Sequence, residues 1–170
     1  MTIEVEVSWT VAGDFASGRY SRAHQWRFDG GASVTASSSP AIVPLPFSDA
    51  SAVDPEEALL AATASCHMLW FLDLARRAGL EVASYRDKAV AELGTDERGR
   101  TAVTRIILDP DIFYANRQPS GDQVAALHKA AHDHCFIANS LRCAVIVRGC
   151  SDQSPELPAS GEGNGAVGAA

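Results

Sequence analysis

The feature that most constrains this chain is one apolar run with helix signals at both ends, residues 54–79. Asp54 suits the capping position, Pro55 fits the first helical position, and Glu56 and Glu57 put acids where the helix dipole favours them. Arg76 and Arg77 fall in the last turn and Gly79 supplies the stop. No residue between Glu57 and Asp73 carries a formal charge at pH 7. A helix apolar on nearly every side is expected to be packed all round. A membrane span takes about 20 consecutive apolar residues. This run is shorter and includes Thr63, Ser65 and His67, so it predicts a buried core helix. At its centre stands one thiol, Cys66, which is either packing material or chemistry.

The remaining totals narrow the classes of function. A chain of 170 residues and 18.0 kDa suits a single domain able to bury most of its apolar surface. Its charge is 14 − 21 = −7 with no basic run, which makes nucleic acid and acidic membranes poor partners. The start of the chain alternates polar and apolar residues and shows no secretory pattern. Without an export signal, the four cysteines Cys66, Cys135, Cys143 and Cys150 are expected to be reduced, which points to the cytoplasm. None of them forms a Cys-x-x-Cys pair, which weakens both a zinc-ribbon and a thioredoxin reading.

Along the chain, Ile3, Val5, Val7 and Trp9 alternate with Glu4, Glu6 and Ser8 as in a half-buried strand. Gly13-Asp14 reads as a turn, residues 20–28 as a second strand, Asp29-Gly30-Gly31 as a tight hairpin turn, and residues 32–36 as a third strand. Residues 37–53 form a proline-containing loop, whose Val43, Leu45 and Phe47 either line a pocket mouth or cover the core. After the long helix come strands at 85–93 and 101–108, a break at Asp109-Pro110-Asp111, and a second helix over 123–135 capped by Asp122. A further helical turn is expected at 136–141 and a closing strand at 143–148. Residues 151–170 are rich in Gly, Ser, Ala and Pro without periodicity and are expected to be a disordered tail, leaving residues 1–150 as the domain. The pattern predicts an α+β domain with mostly antiparallel pairing.

Taken alone, a buried cysteine is usually a small hydrophobe. Cys135, at the end of the second helix, could nonetheless meet Cys66 in the core. Such a pair provides one thiol that reacts and a second that closes a disulfide behind it.

The segment Asp54-Pro55-Glu56-Glu57 continuing to Ala64-Ser65-Cys66-His67-Met68-Leu69 resembles the signature of the OsmC/Ohr family of thiol-dependent hydroperoxide reductases. Residues 131–140, around His134-Cys135-Phe136, are similar to that family's second cysteine segment. The resemblance covers about residues 3–149 in element order and implies an OsmC-like fold, antiparallel sheets around two central buried helices in an intertwined homodimer. It implies that Cys66 is the peroxidatic cysteine, Cys135 the resolving one, and Glu56 the family's glutamate. Among arginines that would activate Cys66, Arg22 is the first choice, Arg19 the second, and Arg27 behind. The implied substrate is an organic hydroperoxide, the partner a dithiol reductant, and no cofactor or metal is needed. The chain departs from better-known members at His67 and over residues 136–140. No family role falls to Cys143 or Cys150.

The physical requirements agree with these roles. The thiolate is the nucleophile, and an apolar site disfavours it unless a cation stands nearby. An arginine supplies one permanently, and a carboxylate such as Glu56 would hold it. Glu56 and Cys66 are ten residues apart, roughly 15 Å along a helix axis. They cannot touch within one straight helix, so a shared site favours Glu56 arriving from a second subunit.

Two other readings remain. His128 and His132 share a helix face, and with His134, Cys135 and His67 they could form a metal site, although His-x-x-x-His without a zincin glutamate is a weak signal. Alternatively, the domain keeps this fold and binds a small hydrophobic molecule without turnover.

Overall fold

The computed structural model describes residues 2–150. The expected tail, residues 151–170, lies outside the described residues.

Helix α1, Pro55–Arg77, forms where the local signals put it. The Glu57 N–H donates to the Asp54 carboxylate at 2.7 Å, and the Asp54 N–H donates to the Glu57 carboxylate at 3.1 Å. This reciprocal box satisfies two amides that the first turn leaves without partners. At the other end Arg76 and Arg77 both reach Asp73, at 2.9 and 2.7 Å. Gly79 then takes a positive φ of 71°, which ends the helix at low steric cost.

At 23 residues α1 is long and apolar enough to span a membrane by length and composition alone, contrary to the count made from the sequence. Within one chain only one stripe of it is buried. Thr63, His67, Phe71 and Ala75, spaced four apart, form a buried stripe. The expectation of packing all round is not met within one chain, since Leu69 is 63% exposed.

The second helix, α2, covers Gly121–His134. Its cap is Ser120, whose hydroxyl accepts from the Gln123 N–H at 3.2 Å, so Asp122 serves the first turn instead of capping it. The two helices pack against each other, and the core between them and the nearby sheets contains Phe71, Ala75, Leu80, Tyr114, Leu127 and Ala131. Phe71 is fully enclosed. Phe71→Ala should lower the unfolding free energy by about 3–5 kcal/mol, read from urea denaturation; a loss below about 1 kcal/mol would mean the core sits elsewhere.

Among the described residues the strands build four small sheets. One is antiparallel and joins β1 (Val5–Ser8), β4 (His24–Phe28) and β5 (Ser33–Ala36) in the order β1-β4-β5. Gly13-Asp14, expected to be a turn, is instead strand β2, paired with β3 at Arg19–Tyr20. The expected strand over 20–28 is therefore two pieces. Between them the Ser21 N–H donates to Ala12 O and the Arg22 N–H to Phe47 O, which draws this segment out of the sheet.

The later strands differ similarly. The stretch expected to run from 85 to 93 divides into β6 (Val82–Asp87) and β7 (Val90–Thr95). Asp109-Pro110-Asp111 does not end the pattern, because β8 (Thr101–Leu108) is followed directly by β9, Pro110–Tyr114. The corner forms where the Asp109 N–H donates to the Asp87 carboxylate at 2.8 Å. Pro110 is tolerated as the first residue of its strand. Strand β9 pairs with β6 while β7 pairs with β8, both antiparallel, and β10 (Ala144–Val147) lies parallel to β8. The expected turn after α2 is a short 3-10 segment, Ala138–Ser140. The result is a mixed α+β fold with two helices and mostly antiparallel sheets.

Candidate functional site

Cys66 is half-buried on α1, and Cys135 is the first residue beyond α2, with no exposed surface. Two unrelated stretches of sequence thus bring their sulfurs together. The Cys66 thiol is near enough to Cys135 to perturb its thiol. Both are free thiols. Burial pushes the Cys135 thiol up to about 11, and its neighbour Cys66 adds to the shift. The Ala138 N–H, 3.4 Å from the Cys135 sulfur, works the other way. Near this pair Trp70 stacks on His134 at 4.9 Å and meets the edge of Phe136 at 5.8 Å. Cys143 and Cys150 are half-buried, and burial raises both thiols, which fits a packing role.

Arg22 and Glu56 occupy a different place. They share the wall of a cavity of about 450 Å³. Trp9, Phe15 and Tyr20 supply its aromatic side, packed together with ring centroids 4.8–5.8 Å apart. Ser38 and Ile42 bring in the proline-containing loop, while Val43, Leu45 and Phe47, the residues expected at a pocket mouth or over the core, are not on this wall. Ser37 and Ser48 of the same loop are buried, and the Ser37 hydroxyl accepts from the Asp49 N–H at 3.0 Å. The Arg22 guanidinium donates to the Gly18 carbonyl at 3.0 Å and to the Tyr20 carbonyl, and lies 3.7 Å from the centre of the Tyr20 ring. A cation over an aromatic face is held with its charge partly desolvated.

Of the three candidate arginines, only Arg22 lines this cavity. Arg19 reaches Asp14 at 3.5 Å, and Arg27 reaches Glu6 at 3.5 Å, both on the surface. Cys66 is not on the cavity wall. The four residues selected from the sequence therefore fall into two groups within one chain, Cys66 with Cys135 and Arg22 with Glu56.

The histidines are arranged otherwise than a metal site requires. His67 Nε2 and His128 Nδ1 are 2.9 Å apart and buried, while His134 lies on Trp70. Among the described residues no group of three or more His, Cys, Asp or Glu side chains is placed to hold a metal. Burial pushes His67 down to about 3, helped by His128 and His132, and His128 down to about 4. The sequence reading grouped His67 with His128 only as possible metal ligands, not as a hydrogen-bonded pair, and it missed the Trp9, Phe15 and Tyr20 wall. The alternation that exposes a strand face could have flagged Trp9, but nothing local links residue 67 to residue 128.

Comparison with known proteins agrees with the fold. The family model described as OsmC-like protein matches residues 48–148. A search of curated proteins returned no match. Among solved structures, an OsmC-like protein of unknown function from Vibrio cholerae is 42% identical, with a TM-score of 0.84, covering 86% of this chain and 97% of its own. An organic hydroperoxide resistance protein from Elizabethkingia anophelis shares the fold at 17% identity and a TM-score of 0.63, over 86% of this chain and 95% of that one. A second, from Legionella pneumophila, does so at 17% identity and a TM-score of 0.59, over 86% and 96%. With its capped cysteine helix, its second cysteine at the end of α2, and a family match over residues 48–148, this chain belongs to the OsmC-like family.

Proposed function

We propose that the protein is a thiol peroxidase that reduces organic hydroperoxides. One observation carries the reading: two free thiols, one on α1 and one just beyond α2, stand close enough for the first to perturb the second. In the first step the Cys66 thiolate attacks the terminal peroxide oxygen and the O–O bond breaks. Cys66 becomes a sulfenic acid, and the departing alkoxide takes a proton to leave as an alcohol. In the second step the Cys135 sulfur attacks the Cys66 sulfenic sulfur, forming a disulfide and releasing water with the Cys135 proton. An external dithiol then exchanges with the disulfide, restores both thiols and is itself oxidised. Burial keeps Cys135 a thiol at neutral pH, which argues against its being the residue that attacks peroxide, since only a thiolate does so efficiently.

Activation of Cys66 is assigned to Arg22 and Glu56 of a second copy. Apolar side chains left open on one chain support an intertwined homodimer: Val5 is 55% exposed, Val7 61% and Leu69 63%. With the second copy's cavity brought against Cys66, its apolar wall favours alkyl and aryl hydroperoxides over hydrogen peroxide. The reduced cysteines and the need for a dithiol donor fit the cytoplasm.

The test is mass spectrometry after one equivalent of an alkyl hydroperoxide. A Cys66–Cys135 link is the expected product, and two unlinked, unoxidised thiols would overturn the reading. Arg22→Ala should slow oxidation of Cys66 by about tenfold or more, measured by stopped flow, through loss of the cation that favours thiolate. Mixing Arg22→Ala with Cys66→Ser chains should restore up to about a quarter of wild-type turnover, since each heterodimer would hold one intact site of two. No recovery on mixing would return Arg22 and Cys66 to one chain. A second reading, binding of a small hydrophobic molecule, is favoured by the aromatic cavity wall alone and expects turnover no faster than a free thiol gives.

A further inference from the structure

Cys66 and Cys135 belong to different elements, so their meeting depends on how α2 sits along α1. Among the described residues, one hydrogen bond joins side chains of the two helices, between His67 Nε2 and His128 Nδ1 at 2.9 Å. His67 is 1% exposed and His128 3%. Their rings are nearly parallel, with 9° between planes and 5.3 Å between centroids. His128 also stacks on Phe71 at 4.3 Å. His67 and Phe71 are one turn apart on α1, so His128 is gripped by two successive turns of that helix. Along the chain His67 follows Cys66 directly, and His128 stands seven residues, about two turns, before Cys135. Any slip of α2 along α1 that carries Cys135 away from Cys66 must also break this bond.

We propose that the His67–His128 pair is a positioning device for disulfide closure, holding α2 in the register that delivers Cys135 to oxidised Cys66 while leaving attack on the peroxide unaffected. The inference rests on the peroxidase reading of the two cysteines. The pair's protonation follows from what surrounds it. One nitrogen of the bond must carry a proton and the other must be bare. His67 Nδ1 is buried with no partner. A buried N–H without an acceptor is rarer than a buried acceptor without a donor. The proton therefore sits on His67 Nε2, donating to His128 Nδ1, and His67 Nδ1 keeps a bare lone pair. Burial keeps both rings neutral at physiological pH, so the bond persists there.

Packing alone does not explain two imidazoles here. Apolar side chains of the same size would fill the space without desolvating polar nitrogens. An apolar contact, however, tolerates sliding, whereas a buried hydrogen bond has one geometry, which is the best-attested use of buried polar groups. Stability is traded for a fixed register.

Three variants separate register from packing. His128→Phe keeps ring volume and stacking but removes the acceptor. His128→Asn keeps an acceptor oxygen where Nδ1 was, and His67→Gln keeps a donor where Nε2 was. Reduced protein is treated with cumene hydroperoxide, quenched by alkylation at short times, and its Cys66 sulfenic acid and Cys66–Cys135 link are counted by mass spectrometry. In His128→Phe first oxidation should stay within about twofold of wild type, while closure slows by about tenfold or more and Cys66 sulfinic acid accumulates. His128→Asn and His67→Gln should close within about threefold of wild type. Closure at wild-type speed in His128→Phe overturns the proposal, as does equal slowing in Phe and Asn variants. If His128→Phe does not fold, the wild-type protein decides by nitrogen-15 NMR: a slowly exchanging proton on His67 Nε2 coupled to His128 Nδ1 supports the pair, and a different tautomer overturns it. Diamide closes vicinal thiols without peroxide. Closure by diamide in wild type, with no reaction toward hydroperoxide, would reject the peroxidase reading while still reading out the register.

Discussion

Cys66→Ser is expected to abolish hydroperoxide turnover, while Cys135→Ser should complete one oxidation and then stop. The two variants look alike in a steady-state assay and differ in a single turnover. With Cys66 removed, the remaining partner is a thiol that burial still holds above its ordinary range, so little of it is thiolate at pH 7. Oxidation should then fall by orders of magnitude. With Cys135 removed, Cys66 is free to react once, and its sulfenic acid has no sulfur at hand to condense with. It should persist, or advance to sulfinic acid under excess peroxide. Peroxide consumption by stopped flow together with the mass of the intact protein distinguishes these fates. Wild-type turnover in Cys66→Ser would end the peroxidase account.

The second large effect concerns acid. The folded protein holds His67 and His128 neutral down to about 3 and 4, whereas in the unfolded chain both take protons below about 6.5. The unfolded state therefore binds more protons below that point, and stability falls as pH is lowered from about 6.5. Each histidine contributes about 1.4 kcal/mol per pH unit across the window, so together they remove several kcal/mol by pH 4.5. That is a large share of the 5–15 kcal/mol typical of a domain. Above about pH 6.5 their contribution is constant. The carboxylates held low by ion pairs or hydrogen bonds, such as Asp73, Asp96 and Asp133, titrate below this window and do not mask it. Urea denaturation at pH 7, 6 and 5 measures the slope. A His67→Phe, His128→Phe double variant should flatten it, and a flat wild-type curve would mean that the rings are not buried as a neutral pair.

These expectations differ in how far the sequence could have given them. Asp54, Pro55, Glu57, Arg76 and Gly79 announced α1 because each acts on backbone within a few residues. Asp54 caps the helix as expected, and Glu57, read from the sequence only as a first-turn acid, closes the second cap hydrogen bond. The strands were harder to read. Whether Gly13-Asp14 is a turn or a strand depends on Arg19 and Tyr20 folding back beside it. Whether Pro110 breaks a strand or starts one depends on β6, more than twenty residues earlier. Arg22 was ranked above Arg19 and Arg27 by resemblance; in the structure it lines the cavity, and the other two face surface carboxylates. His67 and His128 were grouped in the sequence only as possible metal ligands, and nothing there signalled a hydrogen bond between them.

The chain's own residue order was sufficient for the long cysteine helix, the placing of Cys135 at the end of the second helix, and the family. Caps, dipole and hydrophobic run are local effects that act on neighbouring residues before anything distant is in place. Three features required the assembled molecule: the meeting of two sulfurs 69 residues apart in sequence, the grouping of Arg22 with Glu56 on a wall away from Cys66, and the imidazole pair between the helices. Each is a contact between distant segments. Its free energy exists only after the loops joining them have closed, so short-range pattern carries no trace of it.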